Sequence, residues 1–322
     1  MISPVSLFAD DSKIFTRIVS NKNRKWSRGS NGSDVLQRDL DNIKEWADRW
    51  KMEFNVSKCK VMHLGHSNPR SSYSMGGEEL TESSQEKDLG VLIDDSLEFG
   101  KHIKEIVNKA NRMLGLIRIG FDCLNKEIFM NLYPALVRPL LEYCVQVWSP
   151  HKRKHVNLIE GVQRRATKLV PELKNLPYEE RLKRLGLTTL EDRRIRGDMI
   201  ETYKIISGKE DVNPDKFFKI SDDRGDLELV RGLRISKNRC NGNRRRFFYS
   251  QRVGDWWNKL KKEEVRAKTI SEFKRRYDRG GPVRLRVVSA RRRQKGCFFS
   301  NYALYFILLL SKNFFLPFFI VI

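Results

Sequence analysis

Two adjacent carboxylates, Asp10 and Asp11, fall between two short apolar runs near the start of the chain, and they constrain its fold and chemistry more than any other feature. Val5, Leu7 and Ala9 alternate with Ser6 and Phe8 before the pair, and Ile14, Ile18 and Val19 follow it, a pattern that predicts a β-hairpin with both acids near its tip. Such a tip offers hard oxygen ligands to Mg²⁺, which takes one or two carboxylates and fills its octahedron with water and substrate phosphate. Asp-Asp is also a good turn former between strands for purely structural reasons. The dipeptide alone leaves both readings open.

With 322 residues the chain is long enough for two or three domains and a sizeable core. Residues 1–98 read as mixed α and β. Ser33 or Asp34 can cap a helix whose apolar stripe is Leu36, Leu40, Ile43, Ala47 and Trp50. Alternation at Met52, Phe54 and Val56, then Val61 to Leu64, predicts a strand pair behind that helix. Gly76-Gly77 marks a further hairpin tip, and Leu89 to Ile93 reads as a returning strand.

From residue 99 to 208 the period is helical. Phe99, Ile103, Ile106, Ala110, Met113 and Ile117 share a face. So do Ile128, Leu132, Leu136, Leu140 and Cys144, where Pro134 and Pro139 predict two shorter segments rather than one rod. Leu158, Val162, Ala166 and Leu169 form another stripe with Arg164, Arg165 and Lys168 turned mostly outward. Thr189 and Asp192 read as a capping box for a helix stopped by Gly208. Residues 209–280 form a basic C-terminal region, and 281–322 an Arg-rich segment running into an apolar tail. The expected fold class is α+β.

Lys and Arg number 63 against 40 Asp and Glu, a formal charge of +23. The partner of such a surface is a polyanion, either nucleic acid or acidic membrane lipid. Arg164, Arg165 and Lys168, and later Arg244, Arg245 and Arg246, are candidates for tracking a phosphate backbone, with Phe247, Trp256 and Trp257 for base stacking. A merely solvated surface would use the same basic residues. The stretch Tyr302 to Ile322 approaches the ~20 residues needed to cross a bilayer, although Lys312 within it is costly in lipid; translation past the end of a coding element would account for the tail equally well. Five cysteines without paired spacing, and no secretory signal, point to an intracellular site, nuclear or cytoplasmic, with membrane attachment through the tail as the alternative. Cys59, His63 and His66 assemble into a zinc site only on paper, because a structural zinc wants a fourth ligand.

Leu7-Phe8-Ala9-Asp10-Asp11 resembles the Phe/Tyr-Ala-Asp-Asp motif at the catalytic palm of reverse transcriptases, in the form used by non-LTR (LINE-type) retrotransposons. Further matches come in the family's order. Trp50 to Gly65, with Asn55-Val56-Ser57-Lys58, resembles the next palm motif, and Asp88-Leu89-Gly90-Val91-Leu92-Ile93-Asp94 resembles the primer-grip hairpin. Leu136 to Tyr143 with Trp148, and Gln163-Arg164-Arg165-Ala166-Thr167-Lys168, are similar to segments C-terminal to the polymerase core in the same elements. Arg245 to Val253 with Trp257-Asn258 is similar to the family's C-terminal region, so the likeness runs from about residue 2 to residue 278.

The resemblance implies the second half of a palm over 1–98, followed by an all-α thumb and post-thumb region over 99–208. It implies an RNA-directed DNA polymerase, with RNA template and DNA primer as partners and two-metal nucleotidyl transfer on Mg²⁺ in the intact parent. Asp10 and Asp11 would be catalytic and metal-ligating, Lys58 would protonate or neutralise departing pyrophosphate, and Gly90 with its hairpin would position the primer terminus. In the family the fingers and a further palm aspartate precede the Asp-Asp turn, which here begins nine residues from the start. The chain is therefore expected to be the C-terminal part of a reverse transcriptase, inactive as it stands, with a non-enzymatic nucleic-acid-binding remnant as the alternative.

Overall fold

The alternating residues at the start of the chain form the hairpin that their pattern predicts: β1 (Val5–Phe8) pairs antiparallel with β2 (Asp11–Ile14), Phe8 opposite Asp11 and Val5 opposite Ile14. The computed structural model of the chain describes residues 5–8, 11–16, 32–65, 68–220, 234–240, 242–280 and 318–321. They fall into two compact units, residues 1–99 with 313–322 and residues 100–312, and their mixture of helix and strand is α+β.

In the first unit, α1 (Gly32–Arg49) buries Leu36, Leu40, Ile43 and Ala47 along one stripe. Leu36, Leu40 and Ile43 pack with Ile14, Val61, Tyr73 and Leu80 to make the core, each fully buried aliphatic side chain contributing roughly 1.5–3 kcal/mol. The helix starts at Gly32, so Ser33 and Asp34 lie inside its first turn rather than before it. Trp50 lies past its end and is 65 % exposed. Lys51 adopts a left-handed φ of 54° there, which terminates the helix. Met52 to Asn55 form no strand, Val56–Lys58 is one 3-10 turn, and Phe54 and Val56 reach the core singly.

Strand β3 (Lys60–His63) follows, then the hairpin of β4 (Ser74–Met75) and β5 (Glu78–Glu79), in which Gly76 and Gly77 take φ of 60° and 85°. Two-residue hairpins of this hand need positive φ at both central positions. After β6 (Thr81–Glu82), the same geometry joins β7 (Gln85–Asp88) to β8 (Val91–Asp94), with Leu89 at φ 45° and Gly90 at 84°. The returning strand thus begins at Val91, and Leu89 belongs to the turn.

The second unit opens with α2 (Gly100–Gly120), which buries Ile103, Ile106, Ala110 and Ile117 as expected. Helix α3 (Lys126–Leu132), a π turn over Tyr133–Val137, and α4 (Arg138–Glu142) come next, followed by α5 (Val145–Trp148). The helical backbone runs unbroken from Lys126 to Glu142 through both prolines, with the π turn accommodating Pro134, and gives way only at Cys144, φ 56°, so the expected break at the prolines is absent; the buried residues are Phe129, Tyr133, Val137 and Leu141, one position on from the predicted stripe, while Leu136 is exposed. A π turn winds less per residue than an α turn, which holds these positions, four apart, on one face. Helix α6 (Arg153–Ala166) packs on α2, and α7 (Tyr178–Leu185) ends at Gly186, φ 66°. Helix α8 (Leu190–Ile206) begins at Thr189, whose hydroxyl accepts from the Asp192 amide at 3.0 Å, and stops before Gly208, φ 64°.

The ladder of β9 (Lys219–Ile220) with β10 (Ile235–Ser236) precedes α9 (Asn243–Arg246), α10 (Tyr249–Trp257), α11 (Lys262–Val265) and α12 (Ile270–Gly280). Helices α10 and α12 both pack on α8. Of the apolar tail, Phe318–Val321 forms β11, and the rest lies outside the described residues. Strand β11 belongs to the first unit, in a sheet of order β1-β2-β11-β3-β6, antiparallel to both β2 and β3. Among the described residues no helix is long and apolar enough to cross a membrane.

Candidate active-site hairpin and basic surface

Asp11 opens β2, and Asp10 lies outside the described residues. Sheet register relates Asp11 to Lys58. Lys13 and Lys60 both stand opposite Val321, so β2 and β3 run parallel with one strand between them. Two residues before each lie Asp11 and Lys58, at the same end of the sheet. Adjacent strands are about 4.8 Å apart, so the β2 and β3 backbones are separated by about 10 Å at Lys13 and Lys60. Lys58 closes the 3-10 turn ahead of β3 and is exposed.

Gly90 reaches the same hairpin through an ion pair. The Lys13 ammonium contacts the Asp88 carboxylate, both side chains are buried, and Asp88 is the last residue of β7 before the Leu89-Gly90 turn. Asp11, Lys58 and Gly90, far apart in sequence, thus lie on neighbouring segments of one unit. Lys13 and Asp88 were missed by sequence reasoning, since a lysine in a basic chain carries no signal that it will be buried.

Among the described residues no cluster of three or more His, Cys, Asp or Glu could hold a metal ion. Cys59 and His63 form no zinc site there; the Cys59 thiol donates to the Asn55 carbonyl at 3.3 Å, burial raises its pKa, and His66 lies outside the described residues. Of the Asp10-Asp11 pair expected to hold Mg²⁺, only Asp11 is among the described residues.

In the second unit the residues expected to follow a phosphate backbone are exposed, except Arg244 and Arg245, which are half-buried. Arg164, Arg165 and Lys168 are all exposed. Arg164 lies 4.2 Å from the centroid of the Tyr178 ring, and Arg165 donates to the Asn111 amide oxygen at 3.0 and 3.3 Å. Arg244, Arg245 and Arg246 form α9, where Arg245 lies over Phe248 and Arg246 over Phe247. The stacking assignment needs correcting. Trp257 is buried against Phe273, so it is core, and the Phe247 ring already stacks on His151 at 4.4 Å.

A buried polar network beneath α7 was also missed. Gln163 accepts from the Tyr133 hydroxyl at 2.8 Å and donates to the Tyr178 hydroxyl and the Thr188 carbonyl, each at 2.9 Å. Glu160 accepts from the Tyr178 hydroxyl and from the Leu190 amide, the latter at 2.9 Å. Burial first, and then the bond to Glu160, push the Tyr178 phenol far above its ordinary range, so it stays a proton donor.

The chain is 26 % identical over 178 residues to the RNA-directed DNA polymerase from mobile element jockey of Drosophila funebris, a match covering 54 % of this chain and 18 % of that protein. Against the jockey polymerase of Drosophila melanogaster it is 27 % identical over 168 residues, 49 % of this chain and 17 % of that one. Against the probable RNA-directed DNA polymerase from transposon BS of the same fly it is 27 % identical over 146 residues, 42 % and 16 %. The chain therefore spans less than a fifth of the length of these polymerases. No protein-family model matches it, and no solved structure does. By sequence the chain is a relative of the RNA-directed DNA polymerases of non-LTR mobile elements.

Proposed function

We propose that the chain is the C-terminal part of a non-LTR retrotransposon reverse transcriptase, contributing the Asp-Asp hairpin and surfaces that hold primer and template. The observation that carries this reading is the placement of Asp11, Lys58 and the Gly90 turn on adjoining segments of one unit. In this reading residues 1–98 are the second half of a palm, and 99–208 a thumb and post-thumb region. Asp10 and Asp11 would hold Mg²⁺, which when bound supplies Lewis-acid stabilisation of the transferring phosphoryl group. Lys58, exposed at the same end of the sheet as Asp11, is suited to neutralise or protonate pyrophosphate. Gly90, at positive φ and without a side chain, lets backbone approach a primer terminus closely. Arg164, Arg165 and Lys168, with Arg244, Arg245 and Arg246, supply positive charge for the template–primer backbone.

Two measurements test the proposal together. A fluorescent RNA template–DNA primer hybrid should bind the chain, and the binding should weaken steeply as salt rises. Fe²⁺ in place of Mg²⁺, with ascorbate and peroxide, should cut the backbone near residues 10 and 11, and an Asp10→Asn/Asp11→Asn variant should lose the cut. A chain that neither binds the hybrid nor shows aspartate-dependent cleavage refutes the reading.

A further inference from the structure

The Tyr178 ring has two guanidinium groups against it, and among the described residues no carboxylate pairs with either. Arg164, on α6, has its Cζ 4.2 Å from the ring centroid, and Arg181, three residues along α7 from Tyr178, has its Cζ 5.5 Å from the same point. The ring is a fixed platform, because its hydroxyl is held by Glu160 and Gln163 in the buried network. Two of the nearby acids are engaged elsewhere: Glu180 takes Lys183 and Arg184, and Glu160 takes Tyr178 and the Leu190 amide.

Arg181 is the unusual member. It is 3 % exposed, and its Nε and Nη1 are buried without a hydrogen-bond partner. A guanidinium cannot shed its charge at ordinary pH, so unmet donors on a buried one are costly unless an anion completes them. Arg194 shows the contrast. It is equally buried and its Nη1 and Nη2 also lack hydrogen bonds, but Glu160, Glu191, Asp198 and Glu142 all lie within electrostatic range. The charged neighbours that act on Arg181 are Glu179 and, with the same sign as itself, Arg164. The turn Thr167–Leu169, which carries exposed Lys168 four residues on from Arg164, packs against α7.

We infer that Arg181, Arg164 and Lys168 form a phosphate subsite beside the Tyr178 ring that takes one backbone phosphodiester of a bound nucleic acid. The inference rests on the proposed function for its partner. Chemically, an arginine fork matches two phosphate oxygens. An anion at Arg181 satisfies its buried donors and offsets the like charge of Arg164.

The test uses the full chain and a fluorescein-labelled RNA–DNA hybrid, with affinity measured across a salt series and unfolding followed in parallel. Arg181→Met keeps length and volume but removes the donors. The expected result is about tenfold weaker binding at low salt, and a slope of log K against log salt shallower by about 0.9. The thermal midpoint should stay level or rise, because an unpaired buried charge has gone. Arg164→Gln, at an exposed position, should lower the slope in the same way and decides the matter if Arg181→Met fails to fold. Arg153→Gln, whose guanidinium already pairs with Glu191, should leave the slope unchanged. Wild-type binding with an unaltered slope in the Arg181 and Arg164 variants overturns the subsite and leaves the polymerase reading standing. A lower midpoint for Arg181→Met with full affinity assigns Arg181 a structural role and overturns it too. No hybrid binding by the wild type overturns both readings.

Discussion

Lys13 and Asp88, 75 positions apart, form an ion pair in which the residues are only 4 % and 3 % exposed. Lys13 is two residues along β2 from Asp11, and Asp88 immediately precedes the turn that contains Gly90, so one contact ties together the two hairpins expected to handle metal and primer. Taking two charges out of water is expensive, and a pair so deep is a weak source of net stability. Its effect is on relative position: any slip of one hairpin on the other breaks this buried contact.

That burial sets the sign of a mutant cycle. Lys13→Met and Asp88→Leu should each cost about 3–5 kcal/mol, because each removes one partner of a buried ion pair. The double variant should recover most of the loss. Urea unfolding of the four proteins checks this, and additive losses in the double variant would mean that the two side chains do not interact.

The parts of this architecture legible in the sequence are those set by local rules. The stripe Leu36-Leu40-Ile43-Ala47 and the glycine turn at 76–77 follow from helical period and from φ, both properties of adjacent residues. The outward placement of Arg164 and Arg165 agrees with burial of Val162 and Ala166 on the opposite face of α6, although Leu158 of the same expected stripe is exposed and Leu169 only half-buried. Trp50 was misassigned because the helix is ended by Lys51 in a left-handed conformation, which no glycine announces. The buried face over 128–144 was one residue off because a π turn interrupts the α period. Burial of Lys13, of Trp257 and of the Gln163 network, and the seat of β11 between β2 and β3, depend on partners from about 15 to about 300 residues away. Window-based reading has no access to such partners.

His63, the last residue of β3, gives the first unit a pH dependence. Burial holds its imidazole below the ordinary value of about 6.5; Glu82 opposes this and Arg70 adds to it. The unfolded chain therefore binds the proton more readily than the folded one. Stability is retained above the unfolded value and falls as pH drops below it, by at most about 1.4 kcal/mol per pH unit for one proton. Urea midpoints at about pH 7.5 and about pH 5.5 should show the fall in the wild type and a smaller one in His63→Gln. Equal falls in both proteins would remove His63 as the source.

Strand β11 supplies another expected outcome. It is the pairing partner of both β2 and β3, so a chain ending at Ser300 presents two strand edges with unmet N–H and C=O groups. Exposed edges of this kind recruit other chains. The shortened protein should unfold at lower urea and show a larger mass by light scattering than the full chain under the same conditions. An unchanged midpoint and mass would show that the sheet stands without β11.

The Glu160–Gln163 network makes the sharpest local prediction, because each of its atoms has a named partner. Glu160→Gln keeps shape but turns one acceptor oxygen into a donor, and the side chain then faces two donors, the Tyr178 hydroxyl and the Leu190 amide. One must lose its acceptor, at a cost of about 1–3 kcal/mol. Gln163→Leu removes the acceptor of Tyr133 and the donor of Thr188 together, so its loss should be larger than that of Glu160→Gln. Leu190 is the first residue of α8, and its amide is satisfied by Glu160 rather than by its own helix. Hydrogen exchange at that amide should accelerate in Glu160→Gln relative to amides in the middle of α8. Unchanged protection would mean that Glu160 does not hold the start of α8 against α6, whatever the global stability does.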